Sequence, residues 1–457
     1  MTRCRQSICK TNPERYGIVV ASCCCHCFVY GISWTVGVFF VMFLDAFQAK
    51  KGVTAWAGSL NTACCYAVGP ISSMLTNKFG CRPTVILGGV ISAIGLGTSA
   101  FATNIYHLYI TFGIVTGIGF GFVYIPSVSI IAPYFKKKRA LAYGVATAGI
   151  GIGSMVYPPI IDALNNQYGW RGTLLILSGI TLNICVAGAF MKPFKSTIDD
   201  ARGKVKERLF NVGIFRSVDF LILCMNNMLF CFGVSVVYTH LAEYALQMDI
   251  GGRESSILFS VIGISNFLGR FVFGFIGNHP LSNDILVYLF GFLIPGIATL
   301  LVPLLTQFES LLIYATIFGT FTSVFGVQLA SIVCQIIGED QLATGFGVLL
   351  PFEAFGTMLG GPVAGFMYDG FESTGSFFVG GGALVLSATI MIVPYLREKR
   401  LHARALNDNT RIKNNLTEVM VKTENEDTVH EDHISNTTLS DNTEENEKAI
   451  MLEEIHT

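Results

Sequence analysis

Apolar positions in this chain do not alternate with polar ones; they fall in long, nearly unbroken runs. Twelve such runs can be marked, at about 17–44, 54–76, 84–103, 106–134, 140–162, 172–193, 218–243, 255–278, 284–304, 309–338, 341–367 and 374–396. A helix needs roughly 20 apolar residues to cross the hydrocarbon core of a bilayer, so each run predicts a transmembrane helix. The runs between 284 and 367 follow one another most closely, and the count is most sensitive there. Between the sixth and seventh runs lies the longest polar stretch, FKSTIDDARGKVKERLFNVGIFRS, residues 194–217. It divides the spans six and six. The pattern therefore predicts an all-α membrane protein with a short N-terminal segment (1–16), a six-helix half (17–193), a connecting loop (194–217), a second half (218–396) and a tail (397–457).

Composition agrees with lipid as solvent. The 457 residues are 52% hydrophobic and 13% charged, about half the charge of a soluble domain. The 48 glycines and 36 phenylalanines suit helices that pack closely in a bilayer. Charge is distributed unevenly between the loops. Twenty-one Lys and Arg fall in the N-terminus, the 77–83 turn, residues 136–139, the 192–217 region and the C-terminal edge through Arg404, against four in the alternate loops (Lys50, Lys51, Arg171, Arg253). The positive-inside rule then puts both termini in the cytoplasm, and the expected location is the plasma membrane. The first sixteen residues are polar and basic, and the apolar run after them is too long for a signal peptide, so no cleavable signal is expected. Residues 401–457 carry thirteen acids and five Lys or Arg, with few aromatics, and read as a disordered tail. Its sequons at Asn415 and Asn436 would stay unglycosylated on that side of the membrane.

Enzyme chemistry finds little support. The 13 cysteines lie in predicted spans or cytoplasmic segments and read as reduced, small apolar fillers. In the cluster Cys23, Cys24, Cys25, His26, Cys27, helical geometry sends the side chains around more than one face, so no single metal could take them all. GIGIG at 149–153 looks like a phosphate loop but lies inside an apolar helix with no strand before it. No nucleophile–base set stands out, and neither an enzyme activity nor a cofactor is expected.

Two stretches carry a resemblance. GPISSMLTNKFGCRP, residues 69–83, joins the second and third spans by a tight basic turn. It resembles the corresponding turn of the major facilitator superfamily in Gly69, Lys78, Gly80 and Arg82, with Asn77 where that family has an acid. In YFKKKRALAYGVATAGIGIGS, residues 134–154, the cations Lys136, Lys137, Lys138 and Arg139 anchor the fifth span, and glycines 144, 149, 151 and 153 leave room for a neighbouring backbone. This stretch resembles the monocarboxylate transporter family of that superfamily in Tyr134, Phe135, Lys137, Leu141, Ala142, Gly144, Ala146, Ala148 and Gly149. NQYGWRGTLLILSGITLNICVAGAFMKP (166–193) and LLPFEAFGTMLGGPVAGFMYD (349–369) look like its spans 6 and 11, while its signature before span 1 is reduced to Glu14-Arg15-Tyr16-Gly17-Ile18. The resemblance implies a twelve-helix major facilitator fold with two six-helix halves around a midplane site. It also implies transport of small monocarboxylates, proton symport among its members, and for some relatives a single-span glycoprotein partner.

Arg270 is the residue that most needs explaining. It stands in ISNFLGRFVFG with no acid within ten positions, about 12 Å from the nearer end of span 8 at 1.5 Å per residue. A charge at that depth costs about 2.5–3.5 kcal/mol on insertion scales unless it meets a partner or water. One reading is a structural arginine on carbonyls; the other is a cavity arginine that grips a substrate carboxylate with both arms of its fork. The family resemblance implies the second. It also implies an Asp one turn earlier, where this chain has Asn266, and in proton-coupled members a Lys in span 1, where it has Trp34. Neither side chain can carry a proton at a working pH. That favours facilitation, exchange, or a carboxylate-bearing zwitterion such as a creatine-like or amino-acid-like compound over strict symport. Glu353 is the one acid deep in a span, at a similar depth to Arg270; it is expected to pair with Arg270 or to take the proton. Asn61, Tyr66, Asn226, Asn227, Tyr238, Gln328 and Gln335, with Trp34 and Phe355, would complete a pocket for a small amphipathic molecule. His107 and Glu243, at span ends, receive no role. A non-transporting membrane sensor or scaffold is the rival from another class.

Overall fold

A computed structural model describes residues 13–135, 139–191, 216–277, 282–338, 342–370, 375–400 and 407. Met1–Pro394 form one compact unit; a second begins at Tyr395, and in it residues 395–400 are helical. The predicted tail beyond them and most of the 194–217 loop lie outside the described residues.

The first helical set runs α1 (Pro13–Ser33), α2 (Val36–Phe47), α3 (Lys51–Ala67), α4 (Gly69–Phe79), α5 (Cys81–Ser99) and α6 (Ile105–Leu108). The last continues through a π-helical turn, Tyr109–Val115, into α7 (Thr116–Ser129), followed by α8 (Ile131–Tyr134), α9 (Arg139–Thr181) and α10 (Asn183–Phe190). The second set is α11 (Val218–Gln247), α12 (Gly252–Gly277), α13 (Asp284–Leu301), α14 (Phe308–Thr322), α15 (Val324–Ile337), α16 (Leu342–Gly370) and α17 (Gly375–Ile390).

Local chemistry explains the joints. Pro70 in the first turn of α4 lacks the N–H that would continue α3. Gly80, with φ 92 and ψ 166, turns the chain from α4 into α5. Gly169, with φ 67 and ψ 174, kinks α9 into two helices; a side chain at that φ would be strained. Ten helical stretches among the described residues are long and apolar enough to cross a membrane. The expected count of twelve differs from this at two places. Ala142–Phe190, 49 residues long, is one stretch only until the kink at Gly169 is recognised as the join between two helices. Lys51–Phe79 is split at Val68 into pieces of 17 and 11 residues and is not among the ten.

Small residues set the interhelical distances. α9 packs along α1, and a Cβ on Gly149 would lie 2.1 Å from the Cys23 carbonyl oxygen and one on Gly153 2.4 Å from that of Cys27. The cysteine cluster and the glycine stretch are thus two faces of one close backbone contact. Gly151 turns the other way, onto Phe267 of α12, while Gly144 has nothing within 4 Å, so that glycine does not serve the packing expected of it. Across the two sets, α3 packs on α16, α9 on α12 and α2 on α11. Outward, large apolar side chains stay uncovered, among them Phe275 (78% exposed), Leu304 (75%) and Phe101 (73%), as a lipid-facing surface requires.

Candidate functional site

A pocket opens between the two helical sets, where α1 breaks into α2 and α14 breaks into α15. It encloses about 670 Å³ of space between protein atoms, open mouth included. One wall is Ser33, Trp34, Ser59, Thr62 and Tyr66; the other brings Phe230, Cys231, Tyr238, Arg270, Phe325 and Gly326. Arg270 is the one charged residue in this lining.

α12 sends Arg270 across to the start of α15. Its Nε donates to Asn266 Oδ1, one turn earlier on the same helix, at 3.0 Å. Asn266 Nδ2 in turn donates to the Gly319 carbonyl at 3.4 Å. The guanidinium lies against Gly326, where a Cβ would come within 2.8 Å of Nη1. Among the described residues the two terminal amino groups of Arg270 make no hydrogen bond. Asn266 therefore leaves the double-armed edge of the fork toward the pocket, the geometry a carboxylate matches. Trp34 sits at the α1–α2 break, its ring 5.4 Å from Tyr30 edge-on and 5.2 Å from Tyr238.

The sequence-derived candidates separate into three groups. Arg270, Trp34, Tyr66 and Tyr238 meet in the pocket lining, with Asn266 behind Arg270. Asn61 and Asn227 do not line it. Ser33 Oγ donates to Asn61 Oδ1 at 2.9 Å and Asn61 Nδ2 donates to the Phe112 carbonyl at 2.8 Å, so Asn61 ties three helical segments together. Asn227 Oδ1 accepts from Tyr288 at 2.8 Å while its Nδ2 reaches Glu353 Oε1 at 3.4 Å. Phe355 is 49% exposed and outside the lining, because the helical period of α16 turns it away from the face that carries Thr357. The expected Arg270–Glu353 pair is not formed: Glu353, 4% exposed, meets Asn227, and the ion pair present among the described residues is Lys51–Glu243. Glu243, given no role from the sequence, is thus engaged across the two helical sets.

Lys78 and Arg82 are exposed around the Gly80 turn, with the Lys78 ammonium 5.2 Å from the Phe79 ring, remote from the pocket. Lys137 lies outside the described residues, and of Arg139 only the backbone, opening α9, is described. Sequence reasoning missed Ser33, Ser59, Thr62, Cys231, Thr322, Gly326 and Thr357. Small hydroxyl residues and glycines in apolar runs are too common to single out; Gly326 is recognisable only once the arginine beside it is seen.

The chain is similar to several known proteins. Monocarboxylate transporter 12 of Xenopus laevis is 29% identical over 420 residues, covering 86% of this chain and 91% of its own. Monocarboxylate transporter 13 of Rattus norvegicus is 29% identical over 371 residues (80% and 85%), and monocarboxylate transporter 4 of Mus musculus 29% over 374 (80% of each). In fold, the chain is similar to a bacterial homologue of the human lysosomal transporter Spinster, solved inward-facing and unoccupied, with TM-score 0.64 at 16% identity over 84% of this chain and 96% of that one. It is also similar to a POT family transporter solved with 5-aminolevulinic acid, with TM-score 0.66 at 14% identity over 82% and 95%. The sequence model of the Major Facilitator Superfamily matches residues 22–294, more than half of the chain. With that match over more than half of its length, this protein belongs to the Major Facilitator Superfamily and is a membrane transporter, not an enzyme.

Proposed function

We propose that the chain carries small monocarboxylates across the plasma membrane by alternating access of the Arg270 pocket to either face. The observation that carries this reading is the arginine fork itself, bonded through Nε to Asn266 and otherwise without a described partner. A cation held at that depth costs free energy unless an anion or water meets it, and a carboxylate fits both free arms. The names of the relatives support the same substrate class. Trp34, Tyr66 and Tyr238 would hold the apolar part of the substrate. A net anion suits the pocket better than a zwitterion, since no acid lines the wall to receive an ammonium or guanidinium group.

Coupling follows from what surrounds the arginine. With Asn266 one turn before it and Trp34 at the position of the lysine in span 1, neither neighbour exchanges protons. We assign the chain facilitated or exchange transport. Net movement of one charge then feels about 2.3 kcal/mol per 100 mV, so exchange of one anion for another avoids the cost. The halves 17–193 and 218–396 would rock against each other, with the termini and the Lys78–Gly80–Arg82 turn in the cytoplasm; whether a single-span glycoprotein assists is a co-expression question.

The test is uptake of labelled lactate-like, ketone-body-like and creatine-like compounds into vesicles holding the purified protein, at several pH values. Anion uptake that varies less than about twofold with pH, accelerates with carboxylate inside and is abolished in Arg270→Gln is expected. Uptake that climbs steeply in acid overturns the coupling assignment. Binding without flux would favour the sensor reading, and full transport by Arg270→Gln would remove the carboxylate role.

A further inference from the structure

Beyond the pocket, toward the end of the bundle that carries the 48–50 turn, the two helical sets are held together by charge. Lys51 opens α3. Its ammonium pairs with the Glu243 carboxylate of α11 and lies 3.5 Å from the centre of the Tyr368 ring of α16. The Asp369 carboxylate, also on α16, accepts from the backbone N–H groups of Lys51 at 3.4 Å and Gly52 at 3.2 Å. The backbones touch here: a Cβ on Gly365 would lie 2.7 Å from the Gly52 Cα, and one on Gly52 2.5 Å from the Phe366 ring. This contact closes the bundle between the pocket and that end.

Two features separate the clasp from an ordinary structural ion pair. Both acids come from one helical set and the cation from the other, so any motion that opens this end must strip the carboxylates from Lys51. The clasp is also incompletely satisfied. Glu243 Oε1 receives Lys51 and Gln247 Nε2, the latter at 3.0 Å, while Oε2 is buried with no partner among the described residues, in a residue 6% exposed. A contact built only for stability would complete that oxygen, because a buried acceptor without a donor costs free energy.

We propose that Lys51 is a second carboxylate-binding site, at the mouth of the transport path, filled in the closed state by the chain's own Glu243 and Asp369. When the mouth opens, the substrate carboxylate takes their place on the ammonium and on the N–H groups of Lys51 and Gly52. Opening then exchanges one set of charge-assisted bonds for another of the same kind, and Tyr368 keeps an aromatic face against the cation meanwhile. This rests on the reading of the chain as a carboxylate carrier, but not on Arg270.

A native reporter allows a test that does not depend on flux. Cys231 lines the pocket and is 5% exposed, so a membrane-impermeant maleimide applied from the Lys51 end should label it only when that end opens. Labelling is followed by mass spectrometry of the Cys231 peptide in vesicles holding the full chain, with sodium acetate as probe against sodium chloride at equal ionic strength. Acetate is expected to speed labelling at least fivefold in the parent and in Arg270→Gln, and not in Lys51→Gln; Lys51→Arg should keep the response. Glu243→Gln and Asp369→Asn should label faster than the parent without acetate. An acetate response that survives Lys51→Gln, or that is missing from the parent or from Arg270→Gln, overturns the proposal. So does parental labelling speed in both acid variants. Loss of transport in Arg270→Gln beside a kept acetate response separates the two sites.

Discussion

Gly326→Ala is the sharpest probe of the arginine site, because its effect can be worked from distances. The new methyl would sit 2.8 Å from Arg270 Nη1 and 3.3 Å from Cζ and Nη2. Ordinary contact begins near 3.4 Å, so the guanidinium must retreat by about 0.6 Å, the difference between 3.4 and the 2.8 Å given. Binding groups have to be held within roughly 0.5 Å of their productive place. A shift of that size leaves one arm of the fork able to reach a carboxylate and the other short of it. Losing one hydrogen bond to a charged group costs about 1.5–3 kcal/mol, which is about 10- to 150-fold at 1.4 kcal/mol per decade. The fold should not suffer, since what yields is the end of a flexible side chain and alanine is the better helix former. The assay is initial-rate uptake of a labelled monocarboxylate into vesicles, normalised to inserted protein, with kcat/KM as the readout. Gly382→Ala, where a Cβ would meet nothing within 4 Å, is the matched control. Parental kcat/KM in Gly326→Ala, or an equal loss in the control, would refute the placement of the carboxylate on this fork.

Three further outcomes follow from the placement of individual residues. Asn61→Ala should lower thermal stability by about 1–3 kcal/mol, since it leaves buried groups without partners, while KM stays within twofold; a melting assay and uptake kinetics separate the two. Phe355→Ala, at an outward-turned position, should change neither transport nor stability beyond about 0.5 kcal/mol. Gly149→Val should cost about 1–3 kcal/mol or more, because its first carbon meets the Cys23 carbonyl at 2.1 Å; the expected readout is loss of monodisperse protein on gel filtration.

Much of the fold was legible in the sequence because the signal was redundant. Twenty apolar residues in a row leave a chain few choices, and the pattern recurs along most of the chain. The bend at Gly169 was legible too: the polar residues Asn165, Asn166, Gln167 and Arg171 part the apolar runs 140–162 and 172–193, and the structure has a kink between two helices there. At the site, Arg270 was legible because a lone cation in hydrocarbon is costly, and Trp34, Tyr66 and Tyr238 because their spans were already near it. Asn61, Asn227 and Phe355 were misplaced because a polar or aromatic residue in a span says that it needs a partner or a neighbour, not which face of the helix supplies it. Lys51 and Glu243 lie nearly two hundred residues apart at span ends, where charge is ordinary; only the contact of α3 with α11 and α16 makes them a pair.

The position of the pocket has a physical reason beyond its arginine. A helix break inside a bilayer frees backbone groups that lipid cannot satisfy, so breaks survive where they face protein or a cavity. Two breaks meet here. Thr35, with φ −93 and ψ 19, separates α1 from α2, and its hydroxyl returns to the Gly31 carbonyl at 2.5 Å. Ser323 separates α14 from α15 and returns to the Thr320 carbonyl at 2.6 Å. The side-chain hydroxyl repairs the acceptor side of each break, and the new helices α2 and α15 both begin at the pocket wall. The C-terminal ends of α1 and α14 reach the same wall at Ser33 and Thr322, so the partial charges of the helix ends offset one another at each break. The positive potential of the pocket therefore rests on Arg270, and no acid in its lining opposes it. Arg270→Gln should accordingly abolish carboxylate transport; parental uptake by that variant would show that the carboxylate is held elsewhere.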